Sequence, residues 1–86
     1  MEVNKLISLV KTKIEKNIIV ENITINDKTF LHAKHATHQV GKFHLELKIK
    51  SRELNNYSRI QATKKIYKIL DSEIKKYIHS IQILLR

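Results

Sequence analysis

The chain contains no cysteine, which excludes disulfides, zinc ribbons and thiol catalysis by its own residues. A reducing cytoplasm is the expected location. Gly41 is the only glycine in 86 residues, so no glycine-rich loop can wrap a phosphate group. No stretch reaches the roughly 18 unbroken apolar residues of a membrane span. The first residues, Met1 to Lys13, lack the long apolar block and small-residue cleavage site of a signal peptide. A soluble chain with no membrane partner is therefore expected. Arginine is also scarce, three residues against 14 lysines. The forked guanidinium is the side chain best suited to phosphate and guanine, so the formal net charge of +9 is weak support for a nucleic-acid face. The lysines accompany 14 isoleucines and six asparagines. All three amino acids have AT-rich codons, and base bias alone produces such a composition.

What is present suffices for one small domain spanning residues 1–86. Apolar residues make up 42% of the chain, enough for a folded core. A chain of this length buries only about 60–65% of its unfolded surface, leaving little room for a deep substrate cavity.

Val3, Leu6, Ile7, Val10 and Ile14 fall at helical spacings, with Lys5, Lys11 and Lys13 off that stripe, and predict an amphipathic helix. The run Ile18 to Ile25 is β-branched and alternates at Ile19, Ile23 and Ile25, which predicts a strand. Residues 27–41 are polar and aperiodic and read as the long connection of a hairpin. From Phe43 the alternation is regular: Phe43, Leu45, Leu47 and Ile49 on one face, His44, Glu46, Lys48 and Lys50 on a wet one. A second helix is expected from about Ser58, its N-cap, with Ile60, Thr63, Tyr67, Leu70 and Ile74 in one row broadened by Ala62, Ile66 and Ile69. Asp71 marks a break before a short last turn, and Ile78 to Leu85 reads as a closing strand. The order is α-β-β-α-(short α)-β, and the simplest packing is one three-stranded sheet with helices on one face.

Four of the five histidines lie within residues 32–44. His32, His35 and His38, three apart in a loop, have a spacing that zinc or iron accepts, but a loop holds ligands poorly, and solvated side chains are the simpler reading. His44 and His79 are placed by strands. If the strand from Phe43 and the strand from Ile78 are parallel neighbours, they start at the same end of the sheet and bring together residues 35 positions apart. Alternation, however, puts His44 opposite the Phe43/Leu45 face and His79 in register with Ile81 and Ile83. A bulge, or fraying at the strand start, must reconcile them. Two imidazoles make an incomplete zinc site and suit a centre whose remaining ligands come from a partner, as where imidazole replaces thiolate on one iron of a cluster. Catalysis finds no support: Ser51, Ser58 and Ser80 have no nucleophile-elbow context, and Asp27, Glu46 and Asp71 sit among lysines as ordinary surface charges.

Four separated pieces of the chain resemble BolA-like proteins. Asp27-Lys28-Thr29-Phe30-Leu31-His32-Ala33-Lys34-His35 looks like the family's D-E-S-H-L-H-A-G-H, and Gly41-Lys42-Phe43-His44-Leu45 with Ile49-Lys50-Ser51 like its G-E-T-H-F…V-S. Leu54 to Ile60 with Ile66-Tyr67 follows F-x-G-x-S-R-V…V-Y, and Ile78-His79-Ser80-Ile81 follows I-H-A-L. The resemblance covers nearly the whole chain and implies an α+β fold of order αββααβ, like the class II KH fold, with a three-stranded mixed sheet. It implies a role in iron–sulfur cluster assembly or trafficking and iron homeostasis with a monothiol glutaredoxin, through a shared [2Fe-2S] cluster that the isolated chain, expected to be a monomer, does not hold. A partner cysteine and a glutathione thiol would ligate one iron. His79, at the family's C-terminal histidine, and His44, at its variable His/Cys position, would serve the other, with His32 and His35 as accessory metal candidates.

The alternative that the resemblance implies is a DNA-binding transcriptional regulator using the basic second helix, here Arg59, Lys64, Lys65 and Lys68. The family's R-H-R in that helix is Ala62-Thr63-Lys64, and its turn phenylalanine and glycine are Leu54 and Asn56. The first histidine of S-H-L-H is Phe30. The helix changes weaken the DNA inference more than the cluster inference. A KH-type GxxG loop is missing, so RNA recognition of that kind lacks its backbone clamp.

Overall fold

Leu6, Val10, Ile14 and Ile18 recur every four residues and all are buried. One ridge of the first helix, α1 (Val3–Asn17), therefore packs into the core. The computed structural model describes residues 1–29 and 42–86. The helix stops where the β-branched run Ile18-Ile19-Val20 begins. Ile18, its C-cap, is already extended at φ −137° and ψ 140°, although its N–H still closes on the Ile14 carbonyl.

The first strand, β1 (Asn22–Asp27), starts four residues later than the alternation from Ile18 predicts. The reason lies in what the intervening residues bond to. Ile18 completes the buried ridge of α1, while Ile19 is 73% exposed. The Ile19 N–H donates to Glu53 Oε1 at 3.0 Å, and its carbonyl accepts from Ser51 Oγ at 2.7 Å. These main-chain groups are satisfied by side chains from the far end of the hairpin and have no use for a strand partner.

β1 pairs antiparallel with β2 (Phe43–Lys50), setting Ile23 opposite Ile49 and Ile25 opposite Leu47. As the alternation predicts, Leu45, Leu47 and Ile49 are buried and Glu46 and Lys48 sit on the other, polar face, but His44, expected on that wet face, is buried against its neighbours. A four-residue helix that the sequence reading did not anticipate, α2 (Arg52–Asn55), follows at once. The buried Ser51 caps it by accepting from the Leu54 N–H at 3.1 Å.

Ser58 caps α3 (Arg59–Ile69) as expected, in a reciprocal box with Gln61. The buried face of α3 differs from the expected row. Ala62, Ile66 and Leu70 are buried, whereas Ile60 is 70% and Tyr67 42% exposed. Apolar residues wrap about half of this helix, so helical periodicity accommodates two stripes. The structure takes the one whose small residue, Ala62, lets the helix come close. At Leu70 the backbone leaves helical values (φ −97°, ψ 14°) before α4 (Asp71–Lys76), the short last turn read from the sequence.

β3 (Ile78–Leu85) then joins β2 in parallel, giving sheet order β1-β2-β3. The fold is α+β, a three-stranded mixed sheet whose apolar face carries the helices. Its core contains Leu6, Ile14, Leu47, Ile49, Ile66 and Leu70. Among the described residues, no helix is long and apolar enough to cross a membrane. The loop histidines His32, His35 and His38 lie outside the described residues.

Candidate metal centre

The relation between His44 and His79 follows from a change of ladder phase. In a parallel pair, alternate residues of a strand turn both main-chain groups toward the neighbour. At the start of β3 the Phe43 N–H donates to the Tyr77 carbonyl at 2.9 Å, and at its end the Arg86 N–H donates to the Ile49 carbonyl at 2.9 Å. Odd residues thus face β2 at one end and even ones at the other, so one residue is extra. The register locates it: Phe43 is opposite Ile78, but His44 is opposite Ser80. His79 is the bulged residue, and His79 and Ser80 together oppose the single residue His44.

This bulge lets Ile78 and Ile81 both turn toward the core although they are three positions apart. Strict alternation would put His79 with Ile81 on the apolar face. With the bulge, the imidazoles of His44 and His79 lie 4.9 Å apart between centroids, tilted by 54°. His44 is 6% exposed, and His79 is exposed.

His44 is fixed on several sides. Its N–H donates to Thr29 Oγ1 at 3.1 Å, and its carbonyl accepts from the Lys28 N–H at 2.7 Å. Thr29 is itself held by Asp27 Oδ1, which accepts from both its N–H, at 3.0 Å, and its hydroxyl. The ring nitrogen Nδ1 is 2.6 Å from Ser80 Oγ. Beside it, a cleft of about 270 Å³ opens on the polar face of the sheet, lined in part by Lys28, Glu46, Ser80 and Gln82. Sequence reading singled out neither Thr29 nor Ser80 as part of this site. Once a bulge at His79 is assumed, Ser80 falls opposite His44, which is the signal that finds it.

Among the described residues, no group of three or more His, Asp or Glu side chains converges on one point. The imidazole pair stands without a third ligand from these residues. His32 and His35 lie outside the described residues.

The cations of α3 are distributed differently. Arg59, Lys64 and Lys68 are exposed, while Lys65 is half-buried with Nζ 5.4 Å from the centroid of Tyr57. A cation over an aromatic face gains about 0.5–1 kcal/mol at such sites, so this lysine already has a partner.

The chain belongs to the BolA-like protein family, whose model matches residues 14–86. Its fold is similar to that of the BolA domain of SufE1 from Arabidopsis thaliana, at a TM-score of 0.77 and 24% identity over 92% of this chain and 87% of that one. It is also similar to BolA1 from Arabidopsis thaliana, at a TM-score of 0.76 and 22% identity over 92% and 87% of the two chains. BolA1 from Mus musculus matches with a TM-score of 0.71 and 17% identity over 90% of this chain and 60% of that one. No curated protein matches the sequence.

Proposed function

We propose that this protein is a non-catalytic cytoplasmic adaptor in iron–sulfur cluster assembly and trafficking, acting with a monothiol glutaredoxin through a shared [2Fe-2S] cluster. The supporting observation is the meeting of the His44 and His79 rings at 4.9 Å. Two imidazoles bonded to one tetrahedral ion at about 2 Å each have ring centroids about 5 Å apart, so the pair suits a single iron. It also supplies only two ligands, which suits a centre completed by a partner's thiolates. Bound there, the cluster would supply iron and sulfide for delivery. The chain's own part is to hold two imidazoles in place: His79 at the exposed rim, and His44 behind it, anchored by Thr29, Lys28 and Ser80.

The test is to mix the protein with cluster-loaded monothiol glutaredoxin and glutathione, and to record visible absorption and circular dichroism. The spectrum is expected to change on mixing, and His79→Ala to abolish the change. An identical spectrum with His79→Ala would remove the reading.

The exposure of Arg59, Lys64 and Lys68 on one helix supports a second reading, DNA binding through α3. Its affinity would fall steeply with salt, with a slope near −0.9 per phosphate contacted, and Lys64→Gln with Lys68→Gln would flatten that slope by about 2. A salt slope unchanged in the double variant would exclude α3 as the contact surface.

A further inference from the structure

We infer that the outer edge of β3 and the flank of α3 beside it form a docking site for an extended segment of another protein. That segment alternates apolar with acidic residues and adds to the sheet as a fourth strand. In the sheet order β1-β2-β3, β3 has a neighbour on one side only among the described residues. Past the bulge, Arg86 and the even positions before it turn toward β2, so Ile81, Ile83 and Leu85 turn their main-chain groups outward. Tyr67 agrees with that direction, its hydroxyl donating to the Ile81 carbonyl at 3.4 Å. From Ile81 to Leu85 the strand has no charged residue and no proline, the usual devices that keep an open edge from pairing. The opposite edge, β1, carries Asn22, Asn26 and Asp27, which disfavour a further strand.

The side chains on this flank are incompletely covered. Ile81, Ile83 and Leu85 stay partly exposed, whereas Leu45, Leu47 and Ile49, opposite them in β2, are buried. On α3, Ile60, Lys64 and Tyr67 form one row, and all three are exposed. Tyr67 meets Ile81, and Arg59 shares a cleft of about 310 Å³ with Leu84 and Leu85, so α3 runs antiparallel to β3 beside the open edge. A strand paired there sets alternate side chains against Ile60 and Tyr67. Charge selects the occupant. Neither α3 nor β3 contains an acidic residue, and Arg59, Lys64 and Arg86 rim the site. A second copy would bring the same cations and another net charge of +9 against them, whereas acidic side chains complement them.

This site does not depend on the cluster function. Its test adds a capped peptide of alternating valine and glutamate to the whole protein and follows backbone amide exchange by NMR. Exchange at Ile81, Ile83 and Leu85 is expected to slow on binding. Replacing the glutamates by lysines, or methylating the peptide nitrogens along one edge, should abolish the effect. Ile60→Glu should weaken binding about tenfold, through one lost apolar contact and an added like charge. Ile83→Pro, which removes an outward N–H and spares the ladder to β2, should prevent it in a protein whose other amide signals are unchanged. Absence of binding overturns the inference, as does binding that leaves these amides unprotected, tolerates the methylated peptide or ignores Ile60→Glu. A dimer that protects the same amides before peptide is added would assign the edge to a second copy and overturn the acidic occupant.

Discussion

Lys13 Nζ donates to both carboxylate oxygens of Glu73, at 2.8 and 3.0 Å, and joins α1 to α4 across 60 positions of sequence. The Glu73 side chain is only 7% exposed, and that of Lys13 36%. Beyond Glu73 the chain of bonds leads to the candidate centre. The Glu73 carbonyl accepts from the Tyr77 N–H at 2.8 Å, and the Tyr77 carbonyl accepts from the Phe43 N–H at 2.9 Å. The ion pair therefore anchors the turn from which β3 departs, one step before the bulge at His79.

Replacing Lys13 by Met leaves a buried carboxylate without its cation, which is expected to cost about 1–3 kcal/mol. The half-exposed ammonium keeps the figure below that of a fully buried pair. The effect is read as a lower urea midpoint at unchanged slope. Adding Glu73→Leu should recover much of the loss, because the double variant no longer desolvates a lone charge. A Lys13→Met protein as stable as the original would put the pair among surface ion pairs of negligible worth.

Ser51 is 1% exposed and uses its hydroxyl twice, donating to the Ile19 carbonyl and accepting from the Leu54 N–H. It ties the turn after α1 to the turn after β2. Ser51→Ala removes the cap of α2 and strands a carbonyl, and is expected to cost about 1–2 kcal/mol in denaturant melts. Ser58→Ala breaks only an exposed cap and should cost about half as much. Equal losses for the two variants would mean that the bond to Ile19 contributes nothing.

On α3, Ile60 and Ile66 look alike in the sequence, and the structure separates them at 70% and 0% exposure. Ile66→Ala should cost about 2–4 kcal/mol through lost burial and a residual cavity. Ile60→Ser should stay within about 0.5 kcal/mol of the original. Urea titrations of the two variants decide whether Ala62–Ile66–Leu70 is the buried stripe.

These residues also mark how far the sequence could be read. β2 and β3 were legible because strict alternation and β-branched runs leave one face to bury, and the helix starting after Ser58 was legible from its capping pattern. The stripe of α3 was not, since an apolar arc about half the helix wide can be buried along either of its edges. The late start of β1 was hidden because the bonds that hold Ile19 come from Ser51 and Glu53, more than 30 positions away. At the candidate centre, a parallel pairing was compatible with the order of elements, and the conflict of parity between His44 and His79 called for a bulge or a frayed strand start, between which the sequence did not choose. Ser80 could be read only once the place of the extra residue was known, and Thr29 lies just past β1 in the stretch read as an aperiodic connection, where no pattern marks a partner for His44.

If His44 and His79 serve one iron, their removal should not be additive. A centre missing either imidazole has already lost its closed coordination, so removing the second changes little. Titrating cluster-loaded monothiol glutaredoxin and following the heat of association gives the affinities for His44→Ala, His79→Ala and the double variant. The expected outcome is a similar loss in all three, with an interaction energy of about 1–3 kcal/mol. Stability supplies the control. His79 is exposed, so His79→Ala should leave the urea midpoint almost unchanged, whereas His44→Ala, which removes a buried and bonded ring, should lower it measurably. Losses that multiply, each variant acting independently of the other, would show that rings 4.9 Å apart nevertheless do separate things.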